Sequence, residues 1–213
     1  MTLKITADLM LHAYTNGIFP MAESHDDTEL LWFNPRRRGI FPLDQFHISR
    51  SLARQMRNGG YHIAINEDFN ETVATCATRE ETWINPTLTA LYAELNQRGI
   101  AHSFEVRGPD GLWGGVFGIA LGAAFFGESM VSCRTGGSKI ALAHLTDHLR
   151  RAGFTLFDTQ YITPHLATLG AVEISRAAYL ARLAEALEAP AHFLETPVCS
   201  DGHSIIQRNT QTS

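Results

Sequence analysis

A chain of 213 residues can bury a substantial core, and an apolar share of 45% with 18% charged residues suits a folded globular protein. No stretch reaches the roughly 18 consecutive apolar residues of a spanning helix, and Met1–Asp8 lacks the basic flank and apolar run of a secretory signal. Cys76, Cys133 and Cys199 are too few and too scattered for a disulfide framework or a zinc site, which predicts a cytoplasmic protein without a metal.

In chain order, residues 6–16 predict a helix that Gly17 stops, and Gly17-Ile18-Phe19-Pro20-Met21 leaves it extended, because a residue before proline avoids the α region. Glu23 to Glu29 reads as a polar loop, and Leu30–Phe33 and Ile40–Pro42 as short extended pieces. These form a small N-terminal domain over residues 1–45. Residues 46–213 form the second domain. Ser49–Arg57 predicts a helix with Arg50, Arg54 and Arg57 along one face. Tyr61–Ile65 alternates as a strand, a helix follows over residues 68–76, and Pro86 opens another that carries Leu88, Leu91, Tyr92 and Leu95. Ala101–Arg107, Leu112–Ala120 and Ala123–Gly127 predict an antiparallel meander turning at Gly108-Pro109-Asp110-Gly111. Ser138–Arg151 reads as a buried helix, Phe154–Phe157 as a strand ending at Asp158, and Ser175–Glu188 as a helix. The tail after about residue 202 is polar and expected to be flexible. The fold class is α/β (α+β), and the β-α-α-β-β-β-α-β order of the second domain matches an acetyltransferase-like, GNAT-like architecture with a mixed, largely antiparallel sheet.

Net charge is −5, yet residues 34–60 carry Arg36, Arg37, Arg38, Arg50, Arg54 and Arg57 against Asp44 alone. A basic segment on an acidic body can hold a polyanion at one face and a cationic group at another; a solvated arginine-rich surface has the same pattern. Two strand ends carry chemistry. Glu128 follows Phe125 and Phe126, and Asp158 and Gln160 follow Phe157, at positions where open sheets present ligands. A buried carboxylate there can serve as a general base, or simply cap a turn. Between them, Arg134–Ser138 reads as a glycine-rich loop with Ser138 as N-cap, open to an anion or polar ligand, or as a plain strand-to-helix connection. It loosely resembles the pyrophosphate loop of coenzyme A-dependent acetyltransferases, without that loop's further glycine turn. His144 and His148 are spaced like metal ligands but have no third partner. Trp32 and Trp83 can stack on a base or fill the core.

The segments Gly17–Pro20, Leu31–Pro35, Phe46–Ser51, Thr82–Ile84, Ala101–Val106, Gly114-Gly115, Phe126–Met130, Ser138–Leu142, Asp158-x-Gln160 and Leu169–Ala171 occur in an order that resembles the leucyl/phenylalanyl-tRNA–protein transferases, over about residues 8–180. The resemblance implies an aminoacyltransferase of the N-end rule. It would move Leu or Phe, and also Met, from aminoacyl-tRNA to the α-amine of proteins with N-terminal Arg or Lys, marking them for degradation without any cofactor. It implies catalytic roles for Asp158 and Gln160, with Asp158 either base or positioning group, and acceptor binding at Glu128 and Ser129. Val116, Phe125, Met130, Leu142, Leu145 and Phe157 would form the aminoacyl side-chain pocket. Trp83 and Met21 would meet the terminal adenosine, and Arg36, Arg37, Arg38, Arg50 and Arg54 the tRNA. Met21 stands where an aromatic is usual, Arg107 where a Trp is common and Gly137 where Ala is usual. A coenzyme A-dependent acetyltransferase and a non-catalytic tRNA- or N-terminus-binding module are the competing readings.

Overall fold

A computed structural model describes residues 5–27, 29–78 and 82–211. Thr28, within the expected polar loop, lies outside the described residues. The chain runs α1 (Ala7–Thr15), β1 (Phe19–Met21), β2 (Leu31–Phe33), β3 (Arg37–Phe41), α2 (Arg50–Asn58), β4 (His62–Ile65), α3 (Phe69–Cys76) and α4 (Pro86–Gln97). It continues with β5 (Ala101–Gly108), β6 (Gly111–Leu121), β7 (Ala124–Ser132), α5 (Gly137–Arg151), β8 (Leu156–Gln160), α6 (Pro164–Thr168), β9 (Val172–Ser175), α7 (Arg176–Glu188) and α8 (Gly202–Thr210). From β4 to β8 the observed order is the expected one, and the fold is α/β with a mixed sheet.

Local chemistry sets the helix starts. Thr6, Asp68, Asn85 and Ser175 each cap a helix by accepting a backbone N–H three residues on, and Pro86 occupies the first turn of α4. The expected cap at Ser138 is a correction. Gly136, at φ 85°, stands at the N-cap of α5, and Ser138 lies inside the helix with its N–H donating to Ser132 Oγ at 2.8 Å. Only glycine takes that left-handed turn cheaply. Three neighbouring donors are engaged as well: Cys133 and Arg134 N–H both donate to Trp113 O, and Gly137 N–H donates to Arg134 O. Gly137 packs so tightly on β6 that a Cβ would stand 2.0 Å from Trp113 O, which is why Ala does not fit this backbone.

Two sheets form among the described residues. β1 and β2 make a ribbon, and seven strands lie in the order β4-β5-β6-β7-β8-β3-β9. Every pairing in the larger sheet is antiparallel except β7 with β8. β3 belongs to this sheet although its residues precede 45, so the N-terminal stretch is stitched into the larger body. One apolar cluster holds Met10, Tyr14 and Phe19 together with Phe126, Tyr179 and Leu183, and a second packs α5 on the other face around Phe125, Leu145 and Phe157.

The tail also needs correction. Gly202–Thr210 form the helix α8, capped by Asp201, with Ile205 buried and Arg208 donating to both oxygens of Asp147 at 2.7 and 2.9 Å. Ile205, Ile206 and one ion pair anchor it against α2 and α5, a signal too sparse to see in a polar sequence. α6 and β9 were likewise unforeseen, both being very short.

Candidate active site

β7 and β8 run parallel only as far as the pair Phe126 and Asp158, although β7 continues to Ser132. Where the strands part, a cavity of about 250 Å³ opens. Gly127, Glu128, Ser129 and Met130 wall it from β7, and Phe157, Thr159 and Gln160 from β8. Met21, Trp83, Val116, Leu142, Tyr161, Thr163 and Leu166 complete the lining.

Both strands are irregular at this fork. On β7, Ser129 pairs with Phe117 and Gly127 with Gly118, leaving Glu128 as the extra residue of a β-bulge. On β8, Gln160 pairs with Gly39 and Asp158 with Ile40, leaving Thr159 unpaired. Bulges redirect side chains. The one on β7 corrects the expectation that its strand ends at Gly127: the strand continues, and Glu128 meets the cavity because it falls out of register. Gln160 takes φ 62°, a left-handed conformation uncommon for a side-chain-bearing residue. Such strain persists only where the surroundings hold it.

Asp158 is the group that holds it. Its Oδ1 accepts from Arg38 Nε at 2.9 Å and from the Gln160 N–H at 2.8 Å. Its Oδ2 accepts from Arg38 Nη2 at 2.6 Å and from the Tyr179 hydroxyl at 2.7 Å. Arg38 donates further to Gly17 O at 3.0 Å, and its guanidinium lies between the rings of Phe19 and Tyr179, 4.4 and 4.5 Å from their centroids. This corrects the expectation that Arg38 contacts tRNA. It is 1% exposed, because β3 carries it beneath the sheet, whereas Arg36 and Arg37 beside it face solvent. Charge counted along a chain cannot distinguish the inward member of an arginine run.

Gln160 then reaches across the fork, its Nε2 lying 3.2 Å from both oxygens of Glu128. The Tyr92 hydroxyl donates to Glu128 Oε2 at 2.7 Å. The Tyr14 hydroxyl is buried against the same carboxylate without a well-formed hydrogen bond. Burial pushes the Glu128 carboxyl up to about 7, opposed by the donors Tyr92, Tyr14 and Gln160 and reinforced by the charge of Asp158. The two tyrosines are pushed upward in turn, by burial and then by Glu128, so both keep their hydroxyl protons.

Of the apolar residues expected to form a pocket, Val116, Met130, Leu142 and Phe157 line the cavity. Phe125 and Leu145 do not. Phe125 is wholly buried behind the wall, edge-on to Phe157 and stacked on Phe193, and Leu145 sits one helical turn deeper on α5. Trp83 and Met21 face the cavity together, joined by Tyr161, an aromatic the sequence reading overlooked. Tyr92 and Tyr179 were also overlooked; a buried tyrosine hydroxyl seeks a partner, and that was the available signal. Trp32 is exposed on β2, away from the cavity lining. Arg50, Arg54 and Arg57 are exposed along α2. His144 bonds the Tyr61 hydroxyl and Cys199 O, and His148 bonds Phe193 O, so both imidazoles serve the core. No group of three metal-ligating side chains occurs among the described residues. Arg107, the unusual residue after Glu105-Val106, pairs with Glu67, Glu71 and Glu105, tying β5 to α3.

Comparison with solved structures finds FemX at a TM-score of 0.51 and 11% identity, covering 81% of this chain and 68% of that one. This likeness concerns the fold alone, which is acetyltransferase-like. A protein of Cereibacter sphaeroides named leucyl/phenylalanyl-tRNA–protein transferase is 60% identical over 209 residues, 98% of each chain. One of a Ruegeria species with the same name is 57% identical over 211 residues, 99% of this chain and 100% of that one. The family model described as leucyl/phenylalanyl-tRNA protein transferase matches residues 40–184, and that of its N-terminal domain matches residues 4–36. With both models in sequence along it, and relatives aligned almost end to end, the chain belongs to the leucyl/phenylalanyl-tRNA–protein transferase family.

Proposed function

We propose that the protein transfers Leu or Phe, and also Met, from aminoacyl-tRNA to the α-amine of proteins that begin with Arg or Lys, creating a degradation signal in the cytoplasm. The observation that carries this reading is the cavity itself, an apolar slot with Glu128 and Gln160 at its polar end. The donor is an ester already activated for acyl transfer, so binding and proton management are what the chain must supply.

Val116, Met130, Leu142 and Phe157 would receive the aminoacyl side chain. An apolar slot separates side chains by only about 1–3 kcal/mol per methylene, which suits a short list of accepted residues. Trp83 and Tyr161, with Met21, would bracket the terminal adenosine, since each stacked base is worth about 1–3 kcal/mol. Arg36, Arg37, Arg50, Arg54 and Arg57 would meet the phosphates, and Glu128 and Ser129 would receive the acceptor, the carboxylate favouring a cation. The Gln160 amide oxygen accepts no hydrogen bond from the described residues and can take one from the attacking amine. Asp158 serves as a positioning residue that fixes the Gln160 backbone. An α-amine with an ordinary pKa near 8 arrives largely protonated at neutral pH, so its proton must be removed before attack.

The test uses purified protein, radiolabelled leucyl-tRNA, and two peptides that differ only in beginning with Arg or Ala. Transfer to the Arg peptide alone is the expected result. Leucyl-tRNA recovered intact with both peptides would overturn the reading.

A further inference from the structure

The wall of the cavity contains one carboxylate free enough to take a proton, and it is not Asp158. Four donors, two from Arg38 and one each from Tyr179 and the Gln160 backbone, occupy both Asp158 oxygens, and the side chain is fully buried outside the cavity lining. The Gln160 amide can accept a hydrogen bond but cannot hold a proton at neutral pH. Glu128 differs on each count. The bulge on β7 puts it on the cavity wall, where it accepts from the Tyr92 hydroxyl and the Gln160 amide, with the Tyr14 hydroxyl buried against it. A carboxylate offers about four lone-pair positions, so acceptor sites remain open.

We propose that Glu128 is the catalytic proton acceptor, binding the acceptor's α-ammonium and removing its proton so that the amine can attack the ester. The assignment rests on the transferase reading above. The proton passes from the ammonium to Glu128, and the nitrogen lone pair forms the C–N bond while the ester carbonyl becomes a tetrahedral oxyanion. As the oxyanion collapses, the C–O bond to the ribose breaks. The departing ribose oxygen keeps that electron pair and takes the proton back from Glu128. The new amide nitrogen then sheds its surplus proton to water.

Several charged or titratable groups face this carboxyl. Tyr92 comes from α4 and Tyr14 from α1, while Asp158 lies on β8 with its own partners Arg38 on β3 and Tyr179 on α7. Their balance with burial leaves Glu128 ionising near 7, where a base both exists as carboxylate and attracts a proton appreciably.

The experiment measures transfer from leucyl-tRNA to peptides beginning with Arg, Lys or Ala by wild type, Glu128→Gln and Tyr92→Phe, with melting curves as the check on folding. For Glu128→Gln we expect kcat to fall about 100-fold or more, the scale of general base catalysis, together with a rise in acceptor KM that is the same for the Arg and Lys peptides, because the lost carboxylate binds the α-ammonium both carry. The wild-type kcat/KM should fall on the acid side with a bend near 7. Tyr92→Phe, which removes a donor to the carboxylate, should move that bend to higher pH. A Glu128→Gln enzyme with normal kcat and only a raised KM for the Arg and Lys peptides would overturn the proposal, leaving Glu128 a binding residue. So would a bend that ignores Tyr92→Phe, a readout that stands even if Glu128→Gln fails to fold. Wild type inactive on every peptide would instead sink the transferase reading itself.

Discussion

Arg38 and Asp158, 120 positions apart in the chain, meet as a two-pronged ion pair with N–O distances of 2.9 and 2.6 Å, both side chains almost wholly shielded from water. The pair joins two motifs that look independent in sequence. Gly17–Pro20 supplies a carbonyl and a ring to Arg38, and Asp158-x-Gln160 receives the guanidinium. The N-terminal stretch thereby sets the backbone of the residue that spans the cavity.

Removing one member of this pair leaves the other charge buried alone. Arg38→Met should lower stability by about 3–5 kcal/mol, read from urea unfolding midpoints. Replacing both residues by apolar ones, Arg38→Met with Asp158→Leu, should recover most of that loss. Transfer activity should not return in the double variant, because the Gln160 N–H has then lost Asp158. Recovery of both together would show that the pair is structural only.

Gln160 stores backbone strain at φ 62°. Gln160→Gly tolerates that angle and should leave stability unchanged or raise it by up to about 1 kcal/mol, while transfer collapses for want of the bridging amide. Gln160→Val, which cannot adopt the angle cheaply, should lose both. Parallel melting and turnover measurements separate the two contributions.

Glu128 makes stability depend on pH in a defined direction. Its folded pKa, about 7, lies above its ordinary 4.5. Folding therefore favours the protonated form. Its contribution is complete below about 4.5 and is lost as pH rises through about 7. Glu128→Gln imitates the neutral form, so it should match wild type near pH 4.5 and exceed it by about 3 kcal/mol at pH 8.5. Denaturant titrations at the two pH values decide the matter; equal differences at both would contradict the burial argument.

The exposed arginines of α2 offer a test independent of the cavity. If Arg50, Arg54 and Arg57 neutralise phosphates, changing all three to Ala should weaken tRNA binding and flatten its dependence on salt, lowering the logarithmic slope by roughly two to three. An unchanged slope would remove α2 from the tRNA-binding surface.

Much of this was legible in the chain alone. Alternation in Ala101–Gly127, the cap-and-proline start at Asn85-Pro86 and the stop at Gly17 are local signals, since propensity and capping act over a few residues. They yielded the element order from β4 to β8, and the ordered motifs pointed to the family and to Asp158, Gln160 and Glu128. What tertiary structure decided lies in contacts between distant positions. Whether Arg38 or its neighbours Arg36 and Arg37 face water depends on the burial of β3 between β8 and β9. Whether Glu128 ends a strand or bulges from one depends on the register against β6. Phe125 and Leu145 obey the same apolar pattern as Phe157 and Leu142, and only the parting of β7 from β8 determines which of them meets the cavity. Sequence periodicity records that a residue is buried; the packing of other elements determines what it is buried against.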